Sequence, residues 1–219
     1  VMKRGKMSCQ NKTKTAITYE DILLVPQYSE IQSRSDVDLS SNIGTHPLIK
    51  YPIISAPMDT VTGVEMAVEM DRLGGFGIIH RYNTVQDQIN MVRDAVKGGA
   101  KTIGVAVGVI GDFFERAQAA VSAGASIICV DIAHGHHVSM KNALAVLRRR
   151  FPNIHIMAGN VATAEGYKDL SDWGADSVKI GIGNGSICST RIHTGHGVPS
   201  VTAIMECEKM SQTMLHPAK

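Results

Sequence analysis

The chain has 219 residues, 44% of them hydrophobic and 19% charged, with a formal net charge of +2. That balance suits a globular domain that folds without disulfide or metal staples, and it excludes a disordered charged tail. No apolar run approaches the ~18 residues of a membrane-spanning helix, and no signal-peptide pattern opens the chain.

Residues 1–17 read as a disordered basic N-terminal arm, and the opening Val1-Met2 as the boundary of a fragment. Lys3, Arg4, Lys6, Lys12 and Lys14 all fall in this arm, so the remainder carries −3 and offers no basic surplus for nucleic acid. Residues 18–219 read as one domain. After a loop-rich stretch from Tyr19 to Pro47, a first short strand is predicted near 52–56. Then a rhythm begins. Gly74-Gly75 precedes Phe76-Gly77-Ile78-Ile79, Gly99-Ala100 precedes Ile103 to Val107, Gly124-Ala125 precedes Ile127 to Val130, and Gly174-Ala175 precedes Val178-Lys179-Ile180. Each pair closes an amphipathic stretch, such as the helix from Thr84 to Lys97, as glycine does beyond a helix end. Each following apolar run is short enough for a strand buried on both faces. Predicted strands lie near 52–56, 76–80, 102–107, 127–131, 154–158 and 176–180.

Alternating strand and helix implies parallel strands with right-handed crossovers, in an open doubly wound sheet or a barrel. Polar and glycine residues follow five different strands, which fits the single rim of a (β/α)8 TIM-type barrel better than one switch point. Eight such units need roughly 250 residues. Six are present and no seventh strand begins in Met214 to Lys219, so the predicted barrel is incomplete.

The densest chemical signal runs from Gly181 through Ile182, Gly183, Asn184, Gly185, Ser186, Ile187, Cys188, Ser189 and Thr190 to Arg191. Alternating glycines after a strand let backbone approach a ligand and leave amides free for an anion, but the Rossmann fingerprint is missed. Cys188, in that loop beside the cation Arg191, is a candidate low-pKa nucleophile. Cys129 and Cys207 suit inert core thiols. With Cys9, the four cysteines show no metal-ligand spacing, which reads as reduced thiols in a cytoplasmic protein. His134, His136 and His137 read as exposed loop histidines rather than metal ligands, and Arg148-Arg149-Arg150 as a helix end facing the macrodipole and solvent.

This loop, continued through Gly195-His196-Gly197-Val198-Pro199, resembles the catalytic loop of the IMP dehydrogenase / GMP reductase family. Ser33 to Val37, Ser55-Ala56-Pro57-Met58-Asp59-Thr60-Val61-Thr62, Val130-Asp131-Ile132-Ala133-His134-Gly135-His136 and Ala158-Gly159-Asn160-Val161-Ala162-Thr163 resemble further family segments, in family order. The resemblance spans roughly residues 18–207. It implies a purine nucleotide oxidoreductase in which the Cys188 thiolate adds to C2 of IMP, hydride passes to NAD, and water hydrolyses the thioimidate to XMP. By the same resemblance Thr190 positions the water, and Ser186, Met58 and Ala56 hold the nucleotide. Asp131, Asn160, Gly181, Ile182 and Gly183 line the cofactor side, and carbonyls of Gly183, Gly185 and Cys188 bind K+. A homotetramer is implied, without nucleic-acid or membrane partners. Read from the residues alone, the alternatives are a strand-end helix cap for Asp131, the lesser reading, and a turn residue for Asn160.

Direction is read from details. Ile79-His80-Arg81-Tyr82 runs straight into the next helix, leaving no place for the CBS insert of many dehydrogenases, which leans towards a reductase taking GMP with NADP. Ser55-Ala56-Pro57-Met58 and Ile192 to Pro199 resemble the dehydrogenase version, which is the preferred reading. Asn184 and Ser189 depart from the family pattern, and the family's mobile Arg-Tyr flap is absent from these residues. Readings of other classes are a truncated non-catalytic nucleotide-binding scaffold and an unrelated phosphate-binding barrel.

Overall fold

A computed structural model describes residues 15–44, 49–214 and 218; most of the expected N-terminal arm, with Cys9, lies outside the described residues. Six parallel strands, β1 (Ile54–Ser55), β2 (Phe76–Ile79), β3 (Ile103–Val107), β4 (Ile127–Asp131), β5 (His155–Val161) and β6 (Ser177–Ile180), pair in sequence order in one sheet. Helices α1 (Val64–Arg72), α2 (Val85–Lys97), α3 (Phe113–Ala123), α4 (Val138–Arg150) and α5 (Ala164–Asp172) connect them. The result is a curled, incomplete (β/α)8 TIM-type barrel, open between β6 and β1.

Two apolar layers explain why β2, β3 and β4 up to Val130 carry no polar face. Ile78, Ile127, Cys129 and Met157 point to the lumen side with Phe76 and Ala106. Their strand neighbours Ile79, Ile128, Val130 and Ile156 point outward into the helices, as the two-residue period of a strand requires. Thr84 and Thr163 start α2 and α5 by accepting the amides of Asp87 and Gly166. At the other ends Gly74, Gly99, Gly124 and Gly174 all adopt positive φ, the conformation that placed them in the sequence reading.

Two expectations change. Arg148 does not simply face solvent: its guanidinium donates to the carbonyls of Gly174 (2.9 Å) and Ile154 (3.2 Å) and pairs with Asp176 at 2.5 Å. Asp176 also accepts the Ile156 amide at 2.7 Å, so Arg148 ties the starts of β5 and β6 to the end of α4. The segment after β6 holds two helices rather than one, α6 (Ser189–Thr194), ended by Gly195 at φ 69°, and α7 (Ser200–Ser211). Ile17 exchanges two hydrogen bonds with Thr202 of α7. Beyond it the chain runs over the surface with Leu23, Leu24 and Tyr28 largely uncovered, at 96%, 92% and 89% exposure.

Candidate active site

The carboxyl ends of the six strands carry the chemistry-bearing residues on one rim. After β6, Gly181 donates its amide to the Val161 carbonyl at 2.7 Å and turns the chain at φ 137°. Gly183, at φ 68°, lies against Gly197 so closely that a Cβ would stand 2.5 Å from the His196 carbonyl oxygen. Val198 donates to the Ile182 carbonyl at 3.0 Å, which fastens the returning strand of the loop. Glycine is thus required at 183. A Cβ on Gly185 meets nothing closer than 4.0 Å.

This clasp delivers Cys188 to the N-cap of α6, half-buried, while Ser186 and Ile187 stand exposed. No backbone amide caps the thiol at full hydrogen-bond geometry. Even so, the Arg191 amide first, then those of Thr190 and Gly183 with the Thr190 hydroxyl, hold the Cys188 thiol below its ordinary value, against partial desolvation. The groups that favour the thiolate are backbone amides of the loop and of the first turn of α6, with the Thr190 hydroxyl, and the Arg191 guanidinium that the sequence suggested is not among them. Burial pushes Cys129 up to about 12 and Cys207 to about 11.

At the end of β4, Asp131 forms a cluster. Its Oδ1 accepts from Lys179 Nζ at 2.7 Å and from Asn160 Nδ2 at 3.1 Å. Asn160 Nδ2 also donates to the Ile132 carbonyl at 3.0 Å, and Arg81 donates to the Asp131 carbonyl at 3.3 Å. The helix-cap reading of Asp131 is excluded, because His137 caps α4. Asn160 lies within β5, not in a turn. Burial pulls Lys179 down, but the Cys129 sulfur and the Asp131 carboxylate push it up, and the net shift is upward.

Ala56 and Met58 follow β1, at the opposite edge of the open sheet. Ala56 shares a cavity of about 410 Å³ with Met157 and Lys179, so the curl brings the β1 end to the Asp131 cluster. Met58 stands exposed. A second, mainly apolar cavity of about 510 Å³ lies between Ala133, Val161, Thr163, Ile182, Thr190 and Val198. It joins the thiol helix to the loops after β4 and β5. Of the histidines, His134 and His137 are exposed as expected, whereas His136 contacts Asp169 at 2.8 Å.

These residues fit a nicotinamide dinucleotide. Asp131 is anchored through one oxygen, and Oδ2 has no hydrogen-bond partner among the described residues, so it is available to ribose hydroxyls. For K+ the donor type fits, since carbonyl oxygens are hard ligands. Gly185 and Cys188 carbonyls each accept one backbone amide, leaving a lone pair apiece. Among the described residues no cluster of three His, Cys, Asp or Glu could hold a metal. Lys179 was missed in the sequence, where it read as strand filler. A lysine inside a buried apolar run was the available signal.

Fold and rim together define a chain of the parallel (β/α)8 class whose reactive groups sit on the carboxyl-end rim. Residues 16–217 match the model of the IMP dehydrogenase / GMP reductase domain, and the chain belongs to that family. It is 37% identical over 237 residues to inosine-5'-monophosphate dehydrogenase of Cryptosporidium parvum, covering 89% of this chain and 58% of the relative. With the enzyme of Nitrosopumilus maritimus it shares 31% over 320 residues (90% and 67%), and with that of Bacillus subtilis 28% over 322 residues (89% and 66%). The chain thus spans about two thirds or less of the length of these curated relatives. The alignments over 320 and 322 residues are longer than the whole chain, so those relatives carry segments without counterpart here.

Proposed function

We propose that this chain carries the thiol-bearing face of an enzyme that oxidises IMP to XMP. The observation that supports this most is the Cys188 thiol, favoured as thiolate by the amides of Arg191, Thr190 and Gly183 in a glycine-clasped loop. In this reading Cys188 sulfur bonds to C2 of the hypoxanthine ring, and C2 then gives up its hydride. NAD, when bound, supplies the hydride acceptor. Thr190 holds a water that adds to C2 of the Cys188 thioimidate, and C2–S cleavage returns the thiolate. Overall one water is consumed, XMP forms and one proton is released.

Ser186 and the loop amides hold the 5′-phosphate, an anion that unpaired amides favour. Ala56 and Met58 pack on the base. Asp131, pinned by Lys179 and Asn160, takes ribose hydroxyls of the cofactor with its free oxygen, a charge-assisted contact, and Gly181 to Gly183 form the adjoining wall. The carbonyls of Gly183, Gly185 and Cys188 would hold K+, whose charge would stiffen the loop. Residues 18–219 form one catalytic domain without a CBS insert between β2 and β3, where only residues 80–84 separate strand from helix. The uncovered Leu23, Leu24 and Tyr28 support self-association as a homotetramer.

The test incubates the protein with IMP and NAD and follows the near-ultraviolet absorbance of the reduced cofactor, with GMP and NADPH as the opposite arm. Turnover with IMP that disappears in Cys188→Ala is expected. A Cys188→Ala variant with full turnover overturns the mechanism, and turnover only with GMP and NADPH reverses the direction.

A further inference from the structure

Beneath the rim, between α2 and α3, lies a buried polar network that the chemistry above does not use. Gln88 is fully buried, and its Nε2 donates to the carbonyls of His80 at 3.0 Å and Ala106 at 2.9 Å, at the ends of β2 and β3. With both amide hydrogens so engaged, Oε1 faces Arg116 and accepts from Nη1 at 3.3 Å. Arg116, itself 5% exposed, uses the rest of its fork on Asn83: Nη1 to Oδ1 at 3.1 Å and Nη2 to the carbonyl at 3.0 Å. Nη2 also pairs with Asp112 at 2.8 Å.

The rim segment from His80 to Asn83 is therefore tied from below at both ends. Arg81 lies between the ties, and its guanidinium reaches across to the Asp131 carbonyl at 3.3 Å. We propose that Arg116 is a positioning residue: through Gln88 and Asn83 it fixes the loop after β2, and through Arg81 it fixes the strand end that presents Asp131. Lysine cannot replace it, since a single ammonium cannot span Asn83, Gln88 and Asp112 with the geometry of a planar fork. The consequence for ligand binding rests on the reading of Asp131 as the cofactor carboxylate; the consequence for the loop does not.

Three variants separate these. Arg116→Lys removes the fork, Asn83→Ala removes the side-chain half of the link at the rim and keeps the bond to the Asn83 carbonyl, and Asn83→Asp keeps an acceptor for the guanidinium. Hydrogen exchange is read at the amides of 81–83 and 131–132, NAD affinity by calorimetry, and Cys188 reactivity by iodoacetamide labelling. Arg116→Lys is expected to speed exchange at these amides about tenfold and weaken NAD about tenfold, and Asn83→Ala to do the same in smaller measure. Cys188 labelling stays within about twofold in both, and Asn83→Asp behaves as wild type. Unchanged exchange in Arg116→Lys overturns the proposal, as does a parallel loss of NAD affinity and Cys188 reactivity, which marks general loosening. Should wild type bind no NAD, the reading of Asp131 fails while the exchange data still decide the role of Arg116.

Discussion

Replacing Lys179 with methionine tests whether the Asp131 cluster is held by charge. Methionine keeps most of the apolar stem and removes only the ammonium that donates to Asp131 at 2.7 Å. Side-chain exposures of 27% and 20% place the pair between the surface and buried limits. Exposed pairs contribute ~0–1 kcal/mol and breaking a buried one costs ~3–5 kcal/mol, so about 2 kcal/mol is expected. For a domain of this size that lowers Tm by about 4–8 °C. The pH dependence has a definite sign. Lys179 is raised in the folded state above the ordinary 10.5, so its contribution is complete below that value and is lost as pH rises through the raised folded value. Thermal melts of wild type and Lys179→Met should differ by a constant gap from neutral pH to about 10 and converge above it. A variant that melts within about 1 °C of wild type at neutral pH refutes the argument, as does a gap that persists in strong alkali.

Native-state alkylation followed by peptide mass spectrometry should find Cys188 labelled first near neutral pH. Cys129 and Cys207, pushed up to about 12 and about 11, should stay unlabelled; equal labelling contradicts the assignment. Gly183→Ala should cost about 1–2 kcal/mol from its positive φ alone and should slow Cys188 labelling by displacing the loop from His196. Gly185→Ala should leave melting and labelling unchanged, because its Cβ meets open space. Arg148→Ala should lower Tm by about 5–10 °C through loss of the ties to Gly174, Ile154 and Asp176, with little effect on Cys188.

Four of the six strands, β2, β3, β4 and β6, were legible because each follows a glycine that only a helix end explains, while β5, which follows Phe151-Pro152-Asn153, was read from its own apolar run. Ile127 to Val130 is the clearest case, with Gly124 at φ 118° before it. Loop 181–199 was legible as a motif, but its glycines are not equivalent: the need at 183 arises from Gly197, fourteen residues on, and that approach exists only once α6 has turned the chain back. Likewise Lys179 meets Asp131 across 48 residues of sequence, and parallel neighbours with an intervening strand leave no periodic trace. The cause of the lowered Cys188 thiol was not legible in the sequence for the same reason. Adjacency to Arg191 in sequence suggested a charge effect, whereas a helix start aims backbone amides at the sulfur.

Cys188 is proposed to bond to a purine carbon. Incubation of the native protein with a 6-chloropurine nucleoside monophosphate, followed by peptide mass spectrometry, tests it directly. Nucleotide attached to the Cys188 peptide with chloride lost, blocked by excess IMP, is the expected result. An unmodified Cys188, or attachment at Cys129 or Cys207 instead, contradicts it.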